Sequence, residues 1–174
     1  HQMQILTAQD KKYLESSKTS HQSGLHWMRR NPHPKKENHG DCGVRAICFA
    51  LDLPYNQVWR AATKAKRNFS PGSKATADWS LSKDELDQTL TILREWEWSY
   101  YKIKEGDTSR KFFHADNIPS HCIVLQANHW VCVRAGAIWD TWDSRGKRPK
   151  KIKGYFAKQS WQKERWPDLY PNAL

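Results

Sequence analysis

The stretch His129-Trp130-Val131-Cys132-Val133-Arg134-Ala135-Gly136-Ala137-Ile138-Trp139-Asp140-Thr141-Trp142 decides the fold. Two runs, 129–134 and 137–142, alternate in hydropathy on either side of Ala135-Gly136. Short alternating runs rich in Val, Ile and Trp around a Gly-containing dipeptide predict a β-hairpin. A two-residue turn pairs Val131 with Asp140 and His129 with Trp142. Residues two apart on a strand share a face, so His129 and Asp140 become diagonal neighbours on one side of the sheet. A three-residue turn would slip the register and send Asp140 to the other face. Asp143 competes with Asp140 for the same place, and the hairpin face favours Asp140.

Outward from the hairpin, residues 122–126 form a short apolar run, and 99–103 and 152–158 are further strands. Helices precede them. Residues 41–51 place Val44, Ile47 and Leu51 at helical spacing. Pro54 opens a second helix from Tyr55 to about Lys66, with Val58, Ala61, Ala62 and Ala65 on its inner face. Ser82 and Glu85 form a capping-box pattern ahead of Leu86, Leu90 and Leu93, which predicts a third helix to about Trp96. Residues 68–78 read as a loop, and 104–120 carry Phe112, Phe113 and Ile118 as anchors without a clear period. Helices first and strands after give an α+β chain: N-terminal helices packed on a short antiparallel sheet. The expected organisation is a basic N-terminal arm over 1–37, one domain over 38–159 and an irregular tail over 160–174.

Composition narrows the function. The 174 residues carry 38% apolar side chains, ten Trp and a formal net charge of +11. Ten Trp argue against disorder. The charge points to anionic partners, such as nucleic acid, another polyanion or an anionic envelope. No apolar run reaches the length of a membrane span, and no charged-then-apolar leader is visible. Four cysteines at 42, 48, 122 and 132 lack C-x-x-C spacing, which removes the usual zinc and dithiol readings and suggests reduced thiols in a cytoplasm.

Asp41-Cys42-Gly43 opens the first helix. A helix N-terminus favours the thiolate, the reactive form of cysteine. Gly43 would leave room for a substrate backbone. A lone cysteine is far more often a packing residue. A cysteine followed by a strand-opening His129 and a partnering Asp140 has the groups of nucleophilic catalysis in the order it needs.

Together, Asp41-Cys42-Gly43, His129-Trp130-Val131-Cys132-Val133 and Asp140-Thr141-Trp142 resemble the papain-like cysteine peptidases. They are nearest to bacteriocin leader peptidases and related small papain-like proteins of phages and bacteria. The resemblance covers residues 38–51 and 129–143, and the middle only by element order. It implies a papain-like fold with Cys42 as nucleophile, His129 as general base and then acid, and Asp140 as orienter. Trp142 would shield the His–Asp bond, and Gly43, Trp130 and Trp142 would line the substrate site. Asn38 is the candidate oxyanion residue beside the Cys42 backbone N–H. It stands four residues before the cysteine, whereas the commoner spacing of six lands on Lys36. The implied activity is hydrolysis of a peptide, isopeptide or side-chain amide bond in a protein or peptide, with no cofactor and no metal, in a cytoplasm (the host's, if the chain is phage-encoded).

Other readings weigh against this one. Arg145, Lys147, Arg148, Lys150, Lys151 and Lys153 form a basic run that is either a solvated loop or an anion-binding patch. A catalytically silent papain-like module could use it to bind nucleic acid or a nucleic-acid-bound host protein. A cell-wall amidase would also suit the charge. A zinc site of His121, Cys122, His129 and Cys132 fails because alternation splits these residues between faces. Cys48, Cys122 and Cys132 are read as packing.

Overall fold

A computed structural model describes residues 8–9, 26–36, 40–103, 119–142, 144 and 152–165. Its elements are β1 (His26–Arg29), α1 (Cys42–Leu51), α2 (Tyr55–Phe69), α3 (Lys83–Ile92), β2 (Trp98–Lys102), β3 (His121–Gln126), β4 (His129–Arg134), β5 (Ala137–Asp140), β6 (Ile152–Lys158) and α4 (Gln159–Arg165). The chain is mixed α+β, with helices on a six-stranded sheet of order β1-β5-β4-β3-β6-β2.

The hairpin forms with the two-residue turn. Ala135 and Gly136 have φ of 54° and 72°, the paired positive values of a type I′ turn. Arg134 faces Ala137, Val133 faces Ile138 and Cys132 faces Trp139. Continued one step, this register sets Val131 opposite Asp140. Neighbouring pairs from β5 to β2 are antiparallel. The expected wholly antiparallel sheet needs one correction: β1 joins β5 in parallel, with Arg29 beside Asp140. β1 comes from the stretch read as an arm, so His26–Arg29 is part of the sheet.

Burial on the strands does not alternate, because both sheet faces are covered. Ile123, Trp130, Cys132, Trp139 and Phe156 meet Val44, Ile47 and Cys48 of α1 in one core. Val124, Val131, Val133, Ile138 and Tyr155 form a second core on the opposite face. Such strands read as near-continuous apolar runs.

The helices follow their local signals. Ser82 Oγ accepts from Glu85 N at 3.1 Å, and Glu85 Oε1 accepts from Ser82 N at 2.8 Å, completing the capping box of α3. α3 stops at Ile92, short of Trp96, where Arg94 turns left-handed at φ 63°. α2 runs on to Phe69, past the expected end at Lys66. The tail expected to be irregular starts as α4, which stacks Trp161 on His121 at 4.7 Å. Among the described residues, no helix is long and apolar enough to cross a membrane.

Candidate active site

β4 starts and β5 ends at the same edge of the sheet, as antiparallel neighbours must. His129 is the first residue of β4, Asp140 the last of β5, and Cys42 the first of α1. His129 Nε2 lies 2.6 Å from Asp140 Oδ2. The other ring nitrogen, Nδ1, is left for the hydrogen bond that joins the imidazole to the Cys42 thiol. The Trp130 backbone N–H also donates to that sulfur.

Charge follows this geometry. Burial on its own would raise the Cys42 thiol. The His129 hydrogen bond and charge, the Trp130 N–H and the Arg45 guanidinium outweigh it and hold the thiol below its ordinary value. Burial on its own would depress His129, yet its hydrogen bonds with Asp140 and Cys42 and their negative charge lift it to about 9. Both shifts favour a thiolate facing an imidazolium. Cys48, Cys122 and Cys132 move the other way, pushed up by burial. Only Cys42 among the four thiols is held below its ordinary value.

A second layer supports the pair. Asp41 precedes α1 without capping it by its side chain. Its carboxylate instead pairs with Arg45 and accepts from the Tyr55 hydroxyl, all buried. Arg45 Nη2 also lies 3.9 Å from Asp140 Oδ1, while Thr141 N donates to that oxygen at 2.7 Å. The Asp140 carbonyl accepts from the Trp27 indole at 3.3 Å and from Arg30 N at 3.1 Å. Arg45, Tyr55 and Trp27 were not singled out from the sequence. The i,i+4 spacing of Asp41 and Arg45 on a helix was the one legible signal; Tyr55 and Trp27 arrive from separate elements.

The expected substrate-lining residues fall differently. Trp142, 37% exposed, lies against the His129 ring at a centroid distance of 4.9 Å. Trp130 is buried in the core and donates its indole N–H to Leu81 O at 2.7 Å, so it offers no surface to a substrate. Gly43 is also buried; a Cβ there would stand 2.8 Å from Leu81 Cδ1. Its missing side chain admits Leu81 in place of the expected substrate backbone.

Asn38, Asp143, Arg145, Lys147, Arg148, Lys150 and Lys151 lie outside the described residues. Lys153 is exposed on β6. Cys122 and Cys132 belong to opposite faces of the sheet, and His121 bonds to Ala50 O at 2.7 Å. Among the described residues, no three His, Cys, Asp or Glu side chains converge to hold a metal ion. No protein-family model matches this chain, and no curated protein and no solved structure matches it.

Proposed function

We propose that this chain is a papain-like cysteine hydrolase that opens a peptide, isopeptide or side-chain amide bond through a thioester on Cys42. The observation that supports it is the continuous contact from Cys42 through His129 to Asp140, with the thiol held low and the imidazole held high.

The Cys42 thiolate attacks the amide carbonyl carbon, and the carbonyl oxygen becomes an oxyanion. In this reading the Cys42 backbone N–H, at the start of α1, is the donor offered to that charge. His129 gives its Nδ1 proton to the departing nitrogen, the C–N bond breaks, and an amine and a thioester remain. Water then attacks the thioester while His129 takes its proton. The second tetrahedral intermediate expels the thiolate and leaves a carboxylic acid. Asp140 keeps the imidazole aligned and its charge balanced throughout.

Alkylation of Cys42 by iodoacetamide against pH, read by peptide mass spectrometry, tests this reading. Wild type should react well below the ordinary thiol range of ~8.5, and His129→Ala should lose that reactivity. Reaction no faster than at the other three thiols would defeat the proposal.

One observation favours a second reading, a module of the phage type that binds nucleic acid or a nucleic-acid-bound protein without turnover. α2 contains no Asp or Glu and exposes Arg60, Lys64 and Arg67 at i, i+4 and i+7. Binding that weakens steeply with salt and ignores Cys42→Ala would support it.

A further inference from the structure

Residues 53–77 contain no Asp or Glu, yet they hold Arg60, Lys64, Lys66, Arg67 and Lys74. Most of the stretch is α2, whose side chains sort into stripes at i, i+4 and i+7. Val58, Ala62 and Ala65 form a buried stripe. One position on, Trp59, Thr63 and Lys66 hold the loop that follows the helix. The Trp59 indole donates to Asp78 Oδ1 at 3.0 Å, Thr63 Oγ1 accepts from Ala77 N at 3.1 Å, and the Lys66 ammonium donates to Ser80 O at 2.8 Å. One position further, about 100° round the helix, Arg60, Lys64 and Arg67 are exposed. Asn56, Gln57 and Asn68 are exposed on the same outer face, which offers cations and amides and no carboxylate.

Trp79 stands between Asp78 and Ser80, both tied to α2, so it flanks the cationic stripe, and its side chain is 69% exposed. The carboxylates beside it are engaged. Asp78 accepts from the Trp59 indole and the Thr76 hydroxyl, and Glu85 pairs with Lys66. Among the described residues, Arg60, Lys64 and Arg67 pair with no carboxylate. Arg67 in the last turn complements the helix C-terminus, but Arg60 and Lys64 stand outside that turn. Cations about 6 Å apart along one helix face suit a polymer of repeating negative charge. An exposed indole held on a braced loop suits a flat ring, and a nucleobase can stack on it only when unpaired. A duplex keeps its bases inside, and an acidic peptide brings charge without flat rings.

We propose that the outer face of α2 and Trp79 form a binding site for single-stranded nucleic acid, with Arg60, Lys64 and Arg67 on phosphates and a base stacked on the indole. This rests on the anion-binding part of the second reading above and holds whether or not Cys42 turns over. Fluorescence anisotropy of labelled oligothymidylate, oligouridylate and a DNA duplex of the same length, each over a range of salt, tests it. Wild type should bind a single strand about tenfold more tightly than the duplex, and the tighter of the two strands identifies DNA or RNA as the source. Replacing Arg60, Lys64 and Arg67 together by Gln should flatten the plot of log affinity against log salt by about 2, the share of three phosphate contacts on a single strand. Trp79→Ala should weaken single-strand binding by about tenfold at an unchanged salt slope, and Trp79→Phe should keep part of the loss back. All five positions of change are exposed or solvent-facing substitutions that leave the fold intact, which thermal unfolding of each variant checks. A duplex bound as tightly as the single strands, poly-glutamate competing as well as they do, or a Trp79→Ala protein that binds like wild type overturns the inference, even where salt-dependent binding survives. Binding of no nucleic acid at any salt removes the second reading as well, and the alkylation of Cys42 judges the hydrolase reading separately.

Discussion

Arg45 Nη2 lies 3.9 Å from Asp140 Oδ1, and both side chains are almost wholly buried. The same guanidinium pairs with Asp41. One cation thus serves two buried carboxylates, and one of them orients His129. A charge left without its counter-charge in such a place is costly. Arg45→Met should destabilise the fold by ~3–5 kcal/mol in chemical denaturation. It should also raise the Cys42 thiol, because the guanidinium helps to hold it down. The alkylation pH profile separates these effects, since a purely structural arginine would leave that profile where it is.

Asp140→Asn keeps the shape of the orienter and removes its charge. The His129 ring then loses the hydrogen bond and the attraction that lift it to about 9. Amide hydrolysis should fall by ~10⁴-fold in kcat, by analogy with loss of the orienting carboxylate in the serine triad. The titration of His129, followed by NMR, should move to lower pH. A His129 that titrates unchanged would show that Asp140 is not its partner.

Turnover should trace a bell against pH. The rising limb reports the Cys42 thiolate and should lie below the ordinary thiol range. On the proposed mechanism the falling limb reports loss of the His129 proton that the departing amine takes up, and it should lie near pH 9. Alkylation of Cys42 needs only the thiolate, so its rate should stay high above pH 9. A falling limb shared by both reactions would assign that limb to another group.

Trp27→Phe removes one of the two described donors to the Asp140 carbonyl and keeps an aromatic ring on β1. Stability should fall by about 1 kcal/mol, the usual worth of one hydrogen bond. Because the bond fixes the end of β5, kcat should fall more than KM changes. A loss confined to stability would make β1 a structural edge with no part in placing Asp140.

His121 titrates in the opposite sense to His129. Burial, foremost, and the Arg134 charge depress it to about 4, while its ring bonds to Ala50 O. The unfolded chain takes up that proton near pH 6.5, before the folded chain does, so stability is lost as pH falls from 6.5 towards 4. The loss from this group amounts to ~3 kcal/mol at most. His121→Gln should flatten the acid side of the stability profile relative to wild type in denaturation at several pH values. Parallel profiles would remove His121 as the cause.

The sequence by itself determined the elements whose signals are local. Ala135-Gly136 is short enough to force the register, and the register carries His129 and Asp140 to one end of the sheet. Ser82 and Glu85 announce α3 because a capping box closes within four residues. The helix over residues 41–51 was legible from another local signal, the helical spacing of Val44, Ile47 and Leu51.

Tertiary structure decided what depends on contacts between distant segments. β1 has only four residues, too few to show a period, and exists because β5 offers it an edge. Trp130 and Trp142 stand twelve residues apart with similar surroundings in sequence, yet one is core and the other covers His129. Gly43 admits Leu81 from a loop 38 positions on, which no local pattern announces. The lowered thiol of Cys42 is likewise a sum over His129, Trp130 and Arg45 set against burial. Each of these energies depends on distance in space, which local sequence spacing does not encode.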